Sequence, residues 1–274
     1  MNRMPDSAAN SETPWPLIGE SDPPPVEIVN PAGAARVILA CDHASRAIPS
    51  GLDSLGLGDT ALRRHIAWDI GAAEVTRQLA MMLDARAVLA GYSRLLIDCN
   101  RDLDDPTLIP VISEDVVVPG NRDLDPTATA DRVASFYQPY HDRLEHMISA
   151  LCDGETVPAV LFVHSFTPIY RRIERPWHIG ILWDRDPRLP MPLIDALRDI
   201  PDICVGDNQP YSAQNGHDFT NERHAGRTGL AHALIEIRQD LIDTHHGALK
   251  WARLLYDMLR PILADDGLYR ARRA

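Results

Sequence analysis

The apolar residues of the chain follow two alternating patterns. Short continuous apolar runs are typical of interior strands, and stretches with apolar positions three and four residues apart are typical of helices. Strands are predicted at 36–40, 87–90, 94–98, 159–163, 178–183 and 233–237, and helices at 69–83, 127–151, 192–197 and 248–263. This alternation predicts an α/β fold, a single domain with a mixed, mostly parallel sheet flanked by helices.

Three segments depart from the alternation. Residues 1–26 are rich in Pro, Ser, Asp and Glu, have three consecutive prolines at 23–25 and lack apolar periodicity. They predict a flexible N-terminal tail that precedes a domain at 27–274. Residues 106–125 and 207–229 carry Gly, Asn, Asp and Pro without periodicity. We interpret both as long loops, which are uncommon unless they are functional.

Composition and charge narrow the class of protein. The 274 residues are 45% hydrophobic and 24% charged, which is typical of a globular protein. A net charge of −12 would repel phosphate backbones, so no nucleic-acid partner is expected. The apolar runs are too short to cross a bilayer and no signal-peptide pattern is present, so a soluble cytoplasmic protein without a membrane partner is expected. The four widely spaced cysteines favour buried free thiols over disulfides. The oligomeric state is left open.

Polar residues follow three of the predicted strands directly. Asp42 and His43 come after 36–40, Asn100 and Arg101 after 94–98, and His164 after 159–163. In open α/β sheets, ligands bind beyond the carboxyl ends of the strands, so these groups are expected to converge.

The two histidines at these strand ends, His43 and His164, are the leading metal ligands, because a neutral imidazole suits zinc. A single histidine is more often a hydrogen-bonded structural group. The shared position at strand ends favours the metal-ligand interpretation for this pair.

Two carboxylates complete a candidate catalytic centre. A catalytic zinc takes a third protein ligand and keeps one open position. Asp69, at the start of a predicted helix, could be that ligand, although capping the helix would explain it equally well. Glu236 lies between apolar residues on a predicted interior strand, where an unpaired charge is costly. It is either a general base or the partner of Arg238 in a buried ion pair; Arg238 is also a candidate substrate-binding residue.

Further candidates for substrate contact are Asn100, Arg101 and Tyr211. The planar guanidinium of Arg101 suits a substrate carboxylate or a developing oxyanion, which makes it a catalytic candidate as well. The alternative for Arg101 is an ion pair with one of the aspartates that follow it. Asn100 can add a hydrogen bond, and Tyr211, in the second long loop, could close over a substrate.

With these residues in view, the chain resembles the N-formylglutamate amidohydrolase family from about residue 38 to residue 263. The motifs that carry the resemblance are CDHASRAIPSGL, HIAWDIGA, SRLLIDCNRDLDD, VHSFTP, RPWHIGILWDRD, DNQPYS and IEIRQDLI. More distantly, the chain is similar to zinc carboxypeptidases. The resemblance implies a phosphorylase/hydrolase-like fold and a catalytic domain at 27–274. It also implies zinc on His43 and His164, a substrate carboxylate on Asn100 and Arg101, and Glu236 as the catalytic base.

One position departs from the carboxypeptidase pattern. Where that pattern has a metal-binding glutamate three residues after the first histidine, this chain has Arg46. Asp69 is the expected substitute, and Asp42 is the second choice.

The expected function is therefore metal-dependent hydrolysis of a small N-formyl or other N-acyl amino acid, in amino-acid catabolism, with one divalent metal inferred to be zinc. The alternatives are a related zinc carboxypeptidase or deacylase with another substrate, and a non-catalytic ligand-binding protein on the same fold. An incomplete metal site would favour the last of these.

Overall fold

The computed structural model describes residues 15–212 and 219–272. In chain order the strands are β1 (Val26–Val29), β2 (Val37–Cys41), β3 (Arg86–Ala90), β4 (Ile112–Ser113), β5 (Val116–Val117), β6 (Ala159–Phe166), β7 (Ile169–Tyr170), β8 (Ile173–Glu174), β9 (Ile179–Leu182), β10 (Val205–Asp207) and β11 (His232–Arg238). The α-helices are α1 (Asp59–Leu62), α2 (Ala72–Leu83), α3 (Pro126–Arg132), α4 (Gln138–Ala150), α5 (Pro190–Arg198), α6 (Phe219–Asn221) and α7 (His245–Ile262). Wider π-helical turns cover Val133–Tyr137 and Glu222–Gly226, and 3₁₀ turns cover Ser50–Gly56, Pro119–Asn121, Gln239–Leu241 and Asp266–Tyr269.

Seven strands form one sheet in the order β1-β3-β2-β6-β11-β9-β10. The four central strands β3, β2, β6 and β11 run parallel to one another. β1 is antiparallel to β3, β9 is antiparallel to β11, and β10 runs parallel to β9. The predicted mixed, mostly parallel sheet is confirmed.

Helices cover both faces of the sheet, and the two-residue periodicity of each strand divides the core between them. Val37 and Leu39 of β2 belong to the cluster that contains the buried sides of α2, α5 and α7. Ile38 and Ala40 belong to the cluster that contains α4. A third cluster lies under the loops between residues 52 and 137, where it supports the segments that follow β2 and β3.

The predicted strand at 94–98 is wrong. Leu95, Leu96 and Ile97 are buried, but they pack in the third cluster, and the backbone turns there, with the Leu96 amide donating to the carbonyl of Ser93 (2.9 Å). A short apolar run indicates burial and does not by itself distinguish a strand from a buried turn. Strands β1 and β10 were not predicted, and the loop predicted at 106–125 contains the hairpin of β4 and β5.

The predicted N-terminal tail is described from Trp15 onward. The Leu17 amide donates to Ser135 Oγ (3.2 Å), and the Tyr92 hydroxyl donates to the carbonyl of Pro23 (2.6 Å). The boundary at 26/27 stays a prediction. In the described ranges no helix is both long and apolar enough to span a membrane. All four cysteines are free thiols; the predicted burial is confirmed for Cys41 and Cys99 and is wrong for Cys152 and Cys204, which are exposed.

Candidate active site

The strands of the parallel sheet position three of the candidate residues. β2 ends at Cys41, so Asp42 and His43 follow it directly, whereas His164 lies within β6 and Glu236 within β11. His164 and Glu236 are register partners on neighbouring parallel strands, so their side chains leave the sheet on the same face. His43, His164 and Glu236 are buried.

Asp69 reaches the two histidines from the turn that precedes α2. Its amide donates to the carbonyl of His43 (2.9 Å), which fixes the turn to the end of β2. Helix α2 begins at Ala72, after Gly71, which has a φ of +83° and leaves no room for a Cβ because Ile242 O would lie 2.2 Å from it. The Asp69 carboxylate therefore does not cap the helix.

The Asp69 carboxylate lies between the two imidazoles. Its Oδ2 atom is 2.8 Å from Nδ1 of His164 and 3.4 Å from Nδ1 of His43. Candidate ligand atoms of all three residues lie within 4.8 Å of one another. Two imidazole nitrogens and one carboxylate oxygen are a common catalytic ligand set for zinc. The buried His43–Asp69–His164 triad could therefore hold a metal ion.

The far nitrogen of each imidazole faces a second carboxylate. His43 Nε2 lies 2.7 Å from Asp98 Oδ1, and His164 Nε2 lies 3.2 Å from Asp42 Oδ2. Such carboxylates commonly fix the tautomer and ring orientation of metal-binding histidines. Asp42, the second choice as a metal ligand, is thus placed on the outer side of His164.

Both outer carboxylates, Asp98 and Asp42, accept further hydrogen bonds that hold them in place. Arg94 donates to Asp98 Oδ2 (2.9 Å), and the Asn100 amide donates to Asp98 Oδ1 (2.9 Å). The Tyr140 hydroxyl, from α4, donates to Asp42. Sequence reasoning did not assign Asp98, Arg94 or Tyr140. An acid at the end of the buried run LLID was a usable signal for Asp98, whereas Tyr140 depends on how α4 packs and has no local signal.

Mutual electrostatics determine how these groups titrate. Burial would raise the pKa of Asp69, but electrostatic interactions and hydrogen bonds with His43 and His164 outweigh it and lower that pKa. Burial likewise opposes ionisation of Asp98, yet Arg94 and His43 hold its pKa well below the usual value. Burial would lower the pKa of His164, but Asp42 and Asp69 raise it well above 6.5. The carboxylates around the triad thus favour a positive charge at its centre.

The predicted substrate contacts lie beside this centre. Arg101 donates to Thr107 Oγ1 (3.1 Å) and to the Asn100 carbonyl (2.8 Å), and the side-chain carbonyl of Asn100 accepts from the Thr220 amide (3.0 Å). Tyr211 is 43% exposed, and its oxygen accepts from Arg175 (3.0 Å), which leaves the hydroxyl proton available for another acceptor. Burial, followed by the charge of Glu236, raises the pKa of Tyr211 to about 12, so the hydroxyl stays protonated.

One cavity of about 740 Å³ collects most of the predicted site. The candidates among its lining residues are His43, Asp69, Asn100, Arg101, His164, Tyr211 and Glu236. Arg238 does not line it; that side chain forms an ion pair with Asp240 (2.8 Å), where β11 ends and the chain turns away. Residues 213–218 of the second predicted loop lie outside the described residues.

Fold and site together define an α/β protein with a buried triad that could hold a metal ion at the carboxyl edge of a parallel sheet. The family model described as N-formylglutamate amidohydrolase matches residues 35–243. The chain therefore belongs to the N-formylglutamate amidohydrolase family, and it is a hydrolase that acts on amide C–N bonds.

Two solved structures are similar to this one. A gene product from Agrobacterium tumefaciens has 36% sequence identity and a TM-score of 0.86, with 90% of this chain and 98% of that chain covered. The N-formylglutamate amidohydrolase from Ralstonia eutropha JMP134 has 19% identity and a TM-score of 0.68, with 88% and 97% covered, which shows a shared fold. None of the curated protein sequences compared with the chain matches it.

Proposed function

We propose that the protein is a metal-dependent amidohydrolase that cleaves the amide bond of an N-formyl, or other short N-acyl, amino acid. One observation carries the proposal. Glu236 and the buried triad line the same cavity as the Asn100–Arg101 pair. A base, a metal-binding set and a carboxylate anchor are the groups that this hydrolysis needs.

His43, Asp69 and His164 would hold one divalent metal. We propose zinc, because two imidazoles and one carboxylate suit that ion. When bound, the ion would polarise the acyl carbonyl and lower the pKa of water. Arg46, the residue that raised the possibility of an incomplete site, faces Asp59 (3.3 Å) near the surface, and Asp69 supplies the carboxylate. This arrangement favours a catalytic protein over a non-catalytic one.

Glu236 is proposed as the general base and then the general acid. It removes a proton from the attacking water as the new C–O bond forms at the acyl carbon. The same proton then passes to the amide nitrogen as the C–N bond breaks. The proton left on the acyl hydroxyl then passes to the released amine, so the products are formate, or another short carboxylate, and the free amino acid with its ammonium group, and atoms and charges balance.

Asn100 and Arg101 are proposed to bind the substrate carboxylate. The guanidinium can donate in a planar fork, and the side-chain amide of Asn100 adds a donor beside it. Holding the carboxylate would align the acyl carbonyl with the water activated by Glu236. Tyr211 is proposed to donate its hydroxyl proton to bound substrate. The position of Arg238 outside the cavity gives no support to the substrate-binding role predicted for it. The proposed setting is amino-acid catabolism in the cytoplasm.

The test combines metal analysis with product detection. Purified protein is expected to bind about one equivalent of zinc and to release formate from N-formyl amino acids. Glu236→Gln should abolish that release with folding and metal content unchanged, and the exposed Glu155→Gln serves as the matched control. Full activity of Glu236→Gln, or of metal-free protein, would contradict the mechanism. Release of product only from N-acetyl or dipeptide substrates would favour the related deacylase or carboxypeptidase.

A further inference from the structure

Arg175 is a buried arginine beside the cavity. The residue is 8% exposed, and it does not line the cavity, although Tyr170 and Tyr211 do. Among residues 15–212 and 219–272, no carboxylate forms an ion pair with it. Its guanidinium donates to the carbonyl of Thr167 (3.4 Å) and to the hydroxyl oxygen of Tyr211 (3.0 Å). Burying a charged group with so few polar partners is costly, which points to a role beyond packing.

Three aromatic rings contact this guanidinium. Its central carbon lies 4.6 Å from the ring centroid of Tyr170, 4.8 Å from that of Tyr211 and 5.8 Å from that of Phe166. A cation over the face of an aromatic ring is attracted by the negative charge of that face, more strongly where water is excluded. The rings therefore offset part of the cost of burial, and they hold the guanidinium against the side chain of Tyr211.

The backbone of Arg175 is fixed to the strand that carries His164. Arg175 directly follows β8, and its amide donates to the carbonyl of Pro168 (2.8 Å), which closes the base of the β7–β8 hairpin. This hairpin begins just after β6, whose last residue is Phe166, two positions beyond His164. Arg175 therefore has a defined position relative to one of the proposed metal ligands.

The backbone that leads to Tyr211 is held by a different strand, β9. The Asn208 amide donates to the carbonyl of Ile181 (3.0 Å), and the carbonyl of Gln209 occupies the space that a Cβ of Gly180 would need. The side chain of Tyr211 extends beyond these contacts and is 43% exposed. The contacts with β9 thus place the backbone, whereas the position of the phenol depends on the guanidinium that donates to it.

The contact between Arg175 and Tyr211 also sets the direction of the hydroxyl. A guanidinium has donors only, so the phenol oxygen accepts and its own proton is left for another acceptor. We propose that Arg175 is a positioning residue, which holds the Tyr211 hydroxyl with its proton directed to an oxygen of the bound substrate. The inference rests on the proposed function, because the substrate supplies that acceptor. Arg175 itself is assigned no contact with the substrate.

The first experiment is a double-mutant cycle measured with N-formylglutamate under identical metal loading. Tyr211→Phe removes the hydroxyl and keeps the ring, and it should lower kcat/KM by about fivefold to tenfold, the scale of one hydrogen bond. Arg175→Met removes the charge and the donors, and it should lower the same kinetic parameter, kcat or KM-dependent binding, by at least a similar factor. Because both changes disrupt one contact, the double variant should lose no more than Arg175→Met alone.

The matched control is Arg172→Met. Arg172 is an exposed arginine of the same hairpin that does not line the cavity, so kcat/KM should stay unchanged. Full activity of Arg175→Met would overturn the inference. Losses that multiply in the double variant would also overturn it, because they would show that Arg175 acts independently of the Tyr211 hydroxyl, through packing or through the substrate itself.

The second experiment follows Tyr211 without any reaction. The chain has seven tyrosines, so protein labelled with fluorotyrosine gives a fluorine NMR spectrum simple enough for Tyr211→Phe to identify the Tyr211 resonance. In Arg175→Met this resonance should shift toward its position in the denatured protein, while the resonances of tyrosines remote from Arg175 stay in place. An unmoved Tyr211 resonance would overturn the inference. If Arg175→Met does not fold, Arg175→Gln, which is too short to reach the phenol, replaces it in both experiments with the same criteria.

The two experiments separate this inference from the proposed function. If the unmodified protein hydrolyses no N-formyl amino acid, the proposed function fails, and the fluorine resonance still decides whether Arg175 holds the Tyr211 hydroxyl. If hydrolysis occurs and the losses from Arg175→Met and Tyr211→Phe multiply, the proposed function stands and the inference alone fails.

Discussion

Two pairs of buried histidines lie on the same face of the sheet with opposite electrostatics. The rings of His43 and His164 are 5.1 Å apart, and those of His141 and His224 are also 5.1 Å apart. The first pair faces three carboxylates, and two of them, Asp42 and Asp69, raise the pKa of His164 against the effect of burial. Burial, with smaller contributions from His224 and Arg223, lowers the pKa of His141 to about 3, and burial with the charge of Arg223 lowers that of His224 to about 4.

The comparison shows that carboxylate neighbours, and not burial or ring spacing, distinguish a candidate metal site from a structural pair. His141 Nε2 donates to the Cys99 carbonyl (3.0 Å), which can only accept, so His141 Nδ1 accepts from His224 Nε2 (2.8 Å). This neutral pair supports the segment that carries Asn100 from below. It is a structural counterpart to His43 and His164, the pair surrounded by carboxylates.

The largest expected effect comes from Asp69, the carboxylate shared by His43 and His164. Asp69→Asn keeps the size of the side chain and removes its charge, so the triad loses its anionic ligand. Metal binding should weaken and hydrolysis should fall by more than about 100-fold, which exceeds the range for outer carboxylates. Metal content and formate release measure this, and exposed Asp59→Asn is the control. Retention of both properties by Asp69→Asn would remove Asp69 from the proposed ligand set.

A smaller loss is expected from the outer groups. Asp98→Asn should weaken metal binding by about 10- to 100-fold, because the amide no longer stabilises the orientation and basicity of His43 as a carboxylate does. Tyr140→Phe should act in the same direction on the His164 side, through Asp42. Titration with a competing chelator gives the affinities, and Tyr256→Phe, half-buried on α7, is the control. If the unmodified protein, Asp98→Asn, Tyr140→Phe and Tyr256→Phe all bind the metal with equal affinity, Asp98 and Tyr140 only stabilise the fold.

The inner part of the site, formed by His43, His164 and Glu236, could be predicted from sequence because each residue is recognisable from its position on or after a strand. His43 and His164 could be identified from the strands that precede them, and Glu236 from the cost of an acid inside an apolar strand. The capping alternative for Asp69 could not be excluded from sequence, because it depends on Gly71 occupying the helix N-cap.

The outer part depends on tertiary packing. Tyr140 and His141 lie on α4, far along the chain from Asp42 and Cys99, and their roles appear only when α4 packs against the sheet. The strand predicted at 94–98 is wrong for the same reason. Leu95–Ile97 are buried by packing in the third cluster, under the loops, and not by pairing in the sheet.

The neutral pair predicts a pH dependence of stability. Both histidines have folded pKa values below 6.5, so between about pH 6.5 and pH 4 the unfolded chain binds more protons than the folded protein. Stability should therefore fall as the pH is lowered through this window, with a slope of up to about 1.4 kcal/mol per pH unit for each histidine. Chemical denaturation of chelator-treated protein at several pH values measures the slope. His224→Gln should reduce it, whereas the exposed His246→Gln should not; identical slopes in both variants would assign the dependence to other groups.

The smallest effect is expected at His141. It tests whether the neutral pair of His141 and His224 influences how Asn100 and Arg101 hold the substrate carboxylate. His141 donates to the carbonyl that directly precedes Asn100, so loss of this donor should loosen the carboxylate anchor and leave the triad in place. His141→Asn keeps a short polar side chain that cannot reach the Cys99 carbonyl. The KM for an N-formyl amino acid should rise about fivefold, the equivalent of one hydrogen bond of about 1 kcal/mol, with kcat nearly unchanged.

His141→Gln is the matched variant, because its longer side chain places an N–H donor near the position of His141 Nε2. It should restore the KM, which a purely structural loss of packing at this position would not allow. If His141→Asn and His141→Gln lower kcat equally and leave KM unchanged, the pair acts on the metal-binding triad and not on the Asn100–Arg101 anchor. The division between a metal site lined by carboxylates and a neutral histidine pair that supports the substrate anchor would then be wrong.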